Sequence, residues 1–150
     1  MKNKRRFSGQ SLIEFALVFP LIFFLMTGFL DLGRAVFYYS SLTNAVREAT
    51  RYAIVHKDEL NAAYNNPTNN SLQDKVLEYT FGLTGIPDPL TKDDIIVVIP
   101  PKVNNYFTTV SIQATYTYKP ITPGMKELFG STQGIDLIVS SKMHVTPGSK

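Results

Sequence analysis

Nineteen positions, Leu12 to Leu30, hold fifteen apolar residues, and that run decides what the chain can become. A helix rises about 1.5 Å per residue, so the run reaches roughly 28 Å, close to the hydrocarbon thickness of about 30 Å. Lys2, Lys4, Arg5 and Arg6 precede it with no acid among them. Only Asp31 and Arg34 stand just after it, three apart, the spacing of a local pair at the membrane surface. That asymmetry predicts a cytoplasmic N-terminus and an extracytoplasmic remainder. Phe37, Tyr38 and Tyr39 suit the outer interface, where one end of a ring is dry and the other wet.

The charge balance follows the same division. The chain carries 15 basic and 12 acidic residues, a formal +3. Setting the four leader cations aside leaves eleven against twelve, a net of −1. The basic character is therefore a property of residues 1–9, and no basic face of the kind that binds nucleic acid is visible. There are no cysteines, which excludes disulfides, thiol catalysis and cysteine-held metal. A cleaved secretory signal is the plain alternative for such a start. It calls for a shorter apolar core of about 7–15 residues and a small-x-small site, and FLDLGRAVF offers no convincing one.

Beyond the run, Leu32, Ala35/Val36, Tyr39, Leu42, Val46, Ala49 and Ala53 recur at steps of three and four, with Arg47, Glu48 and Arg51 off the stripe. This predicts one helix over about 11–55, kinked or loosened at Pro20. NAAYNNPTNNS (61–71) reads as a loop. Ser71 with Asp74 suggests a short helix over about 71–81. The period then changes to two. Strands are expected at 95–99, 106–118 and 135–145. Tyr106, Thr108, Val110, Ile112, Ala114, Tyr116 and Tyr118 share one face of the second. Ile135, Leu137, Val139, Ser141, Met143 and Val145 share one face of the third. One helical turn is expected over 123–129. The fold class is α+β: a long N-terminal transmembrane and amphipathic helix, then a small antiparallel three-stranded sheet packed on it. The divisions are a basic leader at 1–9, a transmembrane part at 10–36 and an extracytoplasmic domain at 37–150.

The segment KRRFSGQSLIEFALVFP concentrates the functional signal. A basic cluster, Gly9 at the edge of the run, and Glu14 five residues further on coincide, with Phe15 next. A carboxylate inside a span costs roughly 2.5–3.5 kcal/mol on insertion scales and is usually retained for function. Glycine leaves the backbone open to a protease. The segment resembles the prepilin-peptidase site of type IV pilins, in which cleavage follows a glycine and a glutamate lies five residues on. Phe15 stands where the Flp (Tad-type) branch often has an aromatic residue. GQSLIEFALVFP, followed by DLGRAVFYYSSLTNAVREATRYA, resembles the TadE-like family of minor pseudopilins over residues 8–54. Over 55–150 the likeness is architectural, and the cysteines that some relatives carry in their outer domains are missing here.

The resemblance implies a pilin-like structural subunit, not an enzyme, with no cofactor and no metal. It implies removal of residues 1–9 between Gly9 and Gln10 by a prepilin peptidase, with Glu14 and Phe15 in the cleavage and assembly motif. The partners implied are that peptidase, other Tad/Flp pilins, inner-membrane assembly proteins and the lipid bilayer. The implied location is a single-pass membrane protein, with passage into an extracellular pilus or secretion filament. The competing reading is a signal-anchored surface module for adhesion or binding that never enters a filament; it needs no cut at Gly9. An anchored enzyme would need a catalytic constellation. His56 and His144 stand alone in sequence, and Asp93-Asp94 reads as loop charge. The segment REATRYA reads equally as a docking face or as packing on the chain's own sheet.

Overall fold

The computed structural model describes residues 8–68, 70–83, 88–103, 106–122 and 134–145. Lys2, Lys4, Arg5 and Arg6, and the helical turn expected at 123–129, lie outside the described residues. The order is α1 (Ser8–Val55), α2 (Lys57–Asn65), α3 (Ser71–Tyr79), a short 3-10 turn (Lys92–Asp94), β1 (Ile95–Val98), β2 (Thr109–Tyr118) and β3 (Ile135–His144). The sheet is antiparallel in the order β1-β2-β3. This is the expected α+β arrangement.

The 48-residue α1 runs unbroken through Pro20, although proline has no N–H for the carbonyl one turn back. Its first half stands outside the core of the described residues: none of its apolar window is buried. Its second half forms the core. Leu42, Ala45, Val46, Ala49 and Ala53 are buried in one core with Leu72 and Val76 of α3 and the inward face of the sheet. On β2 that face is Val110, Ile112, Ala114, Tyr116 and Tyr118, and Val139 lies beside it on β3. Each large core side chain such as Leu42 or Ile112 contributes about 1.5–3 kcal/mol by leaving water. The alternation expected for 110–118 and 135–145 is the one observed.

The structure departs from the periodicity at four places. The inward stripe of α1 begins at Asp31, Ala35 and Tyr38, while Leu32, Val36 and Tyr39 are exposed. Residues 57–65, partly assigned to a loop, form α2, because Leu60 and Ala63 give it a buried side. The cap of α3 is Asn70 rather than Ser71: its side chain accepts from the N–H groups of Leu72 and Gln73, and Gln73 Oε1 accepts in return from Asn70 N. Gln73 Nε2 also donates to the carbonyls of Lys92 and Ile95, tying α3 to the start of β1. Finally, β2 begins at Thr109, because Tyr106 pairs locally with Val103. That turn reverses the expected parity, so Tyr106 is exposed and Phe107 is buried against Tyr64.

Candidate functional site

Two places on α1 carry the chemistry. The first is its N-terminal end. Gly9 and Gln10 are exposed in the first turn, where backbone N–H groups have no helical partner. A Cβ built on Gly9 meets nothing within 4 Å. Gln10 Nε2 donates to Glu14 Oε1 at 3.2 Å, so the two residues share one side of the helix. Phe15, Phe19 and Phe23 stack one turn apart, with ring centroids 5.4 and 6.2 Å apart. This aromatic ladder stands fully outside any core of the chain, as does Glu14.

The second place is the end of the apolar run, where Asp31 does far more than pair with Arg34. Asp31 is 3% exposed. Its Oδ2 accepts from Thr122 N at 2.6 Å. Its Oδ1 accepts from Ile121 N at 3.1 Å, from the Tyr118 hydroxyl at 3.1 Å and from Arg34 at 3.4 Å. The Tyr118 hydroxyl also reaches the Asp31 carbonyl at 2.9 Å. A carboxylate has about four lone-pair sites, and here three of its four donors come from the last residue of β2 and the turn after it. Burial, then the hydrogen bond and negative charge of Asp31, push the Tyr118 phenol up to about 12, so the group stays a donor. The Arg34 guanidinium lies 5.6 Å from the Tyr38 ring centroid and 5.7 Å from that of Tyr118. Nearby, Gly134 closes the approach to β3 at φ +130°, and a Cβ there would lie 2.7 Å from the Tyr118 carbonyl oxygen. The sheet is thus latched to α1 one residue past the apolar run. Asp31 lies within 10–36 and Tyr118, Ile121 and Thr122 within 37–150, so the latch bridges the two expected divisions.

At the far end of α1, His56 stacks on Tyr52 at 3.8 Å, and the Tyr52 hydroxyl donates to Glu59 Oε1 at 2.6 Å. That bond lowers the Glu59 carboxyl and raises the Tyr52 phenol. The group binds α1 to α2 at their corner. His144 sits exposed at the end of β3. Among the described residues no group of three His, Cys, Asp or Glu is placed to hold a metal. Asp94 accepts from Thr91, capping the 3-10 turn before β1. In REATRYA, Ala49, Thr50 and Ala53 pack inward while Arg47, Glu48 and Arg51 face solvent, so the segment serves the core with one side and stays open on the other.

The family model described as TadE-like protein matches residues 9–51. The match begins at Gly9 and covers Glu14, the apolar run, Asp31 and most of the amphipathic half of α1. No curated protein and no solved structure matches the chain.

Proposed function

We propose, from a chain whose residues 9–51 are TadE-like, that this is a minor pilin or pseudopilin of a Tad (Flp) type IV pilus or a related secretion filament. TadE-like pilus components are structural rather than enzymatic. One observation carries the reading: the family match opens at Gly9 and takes in Glu14 and the apolar helix together. The helix fits a single-pass anchor by length and composition, and among the described residues its apolar window is unburied, which suits lipid or neighbouring helices. A prepilin peptidase removes residues 1–9, and the subunit then starts or caps a filament built with other pilins and inner-membrane assembly proteins.

Glu14 supplies the assembly step. Cleavage leaves Gln10 with an amino group, positive at neutral pH. A carboxylate in apolar surroundings needs a partner, because an unpaired buried charge costs several kcal/mol. The new terminus of a neighbouring subunit is such a partner, and pairing selects the axial position at which subunits pack. Glu14→Ala makes the run more apolar, so insertion persists. The variant is expected at normal membrane levels, substantially cut, and absent from sheared filaments in quantitative blots. Its recovery in filaments at wild-type levels would leave Glu14 without an assembly role.

The orientation follows from the leader cations: N-terminus in the cytoplasm, domain outside. An alkaline phosphatase fused after Lys150 is expected to be active, since that enzyme works only outside the cytoplasm. A silent phosphatase, with an active cytoplasmic reporter at the same position, would reverse the orientation.

A further inference from the structure

The latch at Asp31 does more than join sheet to helix. It determines what part of the domain meets the membrane surface. Ile121 N and Thr122 N are held by the Asp31 carboxylate, one residue beyond Leu30, the last apolar residue of the run. Thr122 is buried in this arrangement, while the Ile121 side chain is 74% exposed. It faces an apolar groove of about 700 Å³ that continues down α1 past Leu30 and Phe24 to Pro20. The exposed surface is thus continuous from the apolar helix onto the turn after β2. An isoleucine on a hydrogen-bonded backbone, left this open to water, has an apolar partner to gain.

We infer that the turn at Ile121–Thr122 is a foot that seats the domain on the outer leaflet, with Ile121 in the upper hydrocarbon region beside Leu30. The occupant of the surface is lipid. This seating rests on the membrane-anchor reading of α1, and the patch is continuous with that helix. The surrounding polar groups fit the boundary. The Arg34 side chain is 40% exposed beside the foot, at headgroup level. Lys119, two residues before Ile121, is half exposed and paired with Asp88 at 2.9 Å. β2 runs away from the foot, so His144, opposite Thr109, lies about 30 Å along the strand from Tyr118. The foot fixes the domain's height, and with it the side of the sheet presented to neighbours.

The chain has no cysteine, so single positions can be labelled. Full-length Ile121→Cys, carrying an environment-sensitive fluorophore, would be placed in phosphatidylcholine–phosphatidylglycerol vesicles with nitroxide near the glycerol end of the acyl chains. Phe24→Cys, about 10 Å deeper on the helix, and His144→Cys serve as references. The expected result is blue-shifted emission at 121 and quenching several-fold above that at 144. Adding Asp31→Asn places an amide donor against the N–H of Thr122 or Ile121. It should shift label 121 toward aqueous emission and leave label 24 unchanged. Aqueous emission at 121 with quenching at 24 would overturn the foot and leave the anchor standing. Aqueous emission at both would overturn the anchor itself. Strong quenching at 121 that Asp31→Asn does not alter would keep the lipid contact and remove Asp31 as its cause. Equal quenching at 121 and 144 would also overturn the foot, since a domain lying flat seats no particular turn.

Discussion

Asp31→Ala is expected to destabilise the domain by about 3–5 kcal/mol, because three donors lose a buried ionic acceptor at once. The N–H groups of Ile121 and Thr122 would be left beside an apolar methyl group, and the Tyr118 hydroxyl would keep only the residue 31 carbonyl. For a domain of this size, each kcal/mol moves the melting midpoint by about 4–8 °C, so a fall of well over 10 °C is expected. Near-ultraviolet circular dichroism of the full chain in lipid nanodiscs reads it, since Tyr38, Tyr116 and Tyr118 pack edge to face at this end of the sheet. Tyr118→Phe removes one donor and should cost about 1 kcal/mol. A midpoint for Asp31→Ala within about 1 kcal/mol of wild type would mean that the carboxylate does not hold the sheet. The pH dependence has a definite sign. The Tyr118 phenol is raised in the folded state, to about 12. Its contribution is complete below the ordinary phenol value near 10 and is lost as pH rises toward 12.

The second large effect is on processing. Gly9→Leu is expected to leave the precursor uncut in the membrane, while the wild-type chain is expected to begin at Gln10. The substitution is informative because it spares the fold: a Cβ at Gly9 meets nothing within 4 Å, and the position lies in the exposed first turn of α1. Any effect on processing then belongs to recognition by the peptidase. Intact-mass measurement of membrane-extracted protein separates the two forms. A wild-type chain that retains Met1 in cells carrying the peptidase would refute the cut. So would a Gly9→Leu chain trimmed as fully as wild type.

Much of the molecule was readable from residue order, because the relevant forces act over short sequence distances. The apolar run, the amphipathic half of α1 and the two-residue period of β2 and β3 are local patterns, and each became the expected element. The errors share one cause. Helix α2 was hidden in a segment rich in asparagine, where tertiary burial of Leu60 and Ala63 outweighs weak propensity. The cap of α3 moved to Asn70 because Gln73 is needed there to hold the carbonyls of Lys92 and Ile95, about twenty residues away.

Asp31 marks the boundary between the two kinds of information. Sequence by itself determined that the chain has a membrane-length helix, with a basic side before it and a mixed domain after it. Length, apolarity and charge order are properties of consecutive residues, and no folding partner is needed to express them. Tertiary structure alone decided how the domain sits on that helix. A charge at the start of the inward stripe breaks the apolar period, so the pattern points to Leu32, Ala35/Val36 and Tyr39. The observed face takes Ala35 of that pair and, on either side of it, Asp31 and Tyr38, each one residue or about 100° around the helix from Leu32 and Tyr39, before it meets the expected Leu42, Val46, Ala49 and Ala53. The donors that make a buried carboxylate favourable there come from positions 87 to 91 residues later in the chain. Their convergence depends on the sheet being formed, and no periodicity records it.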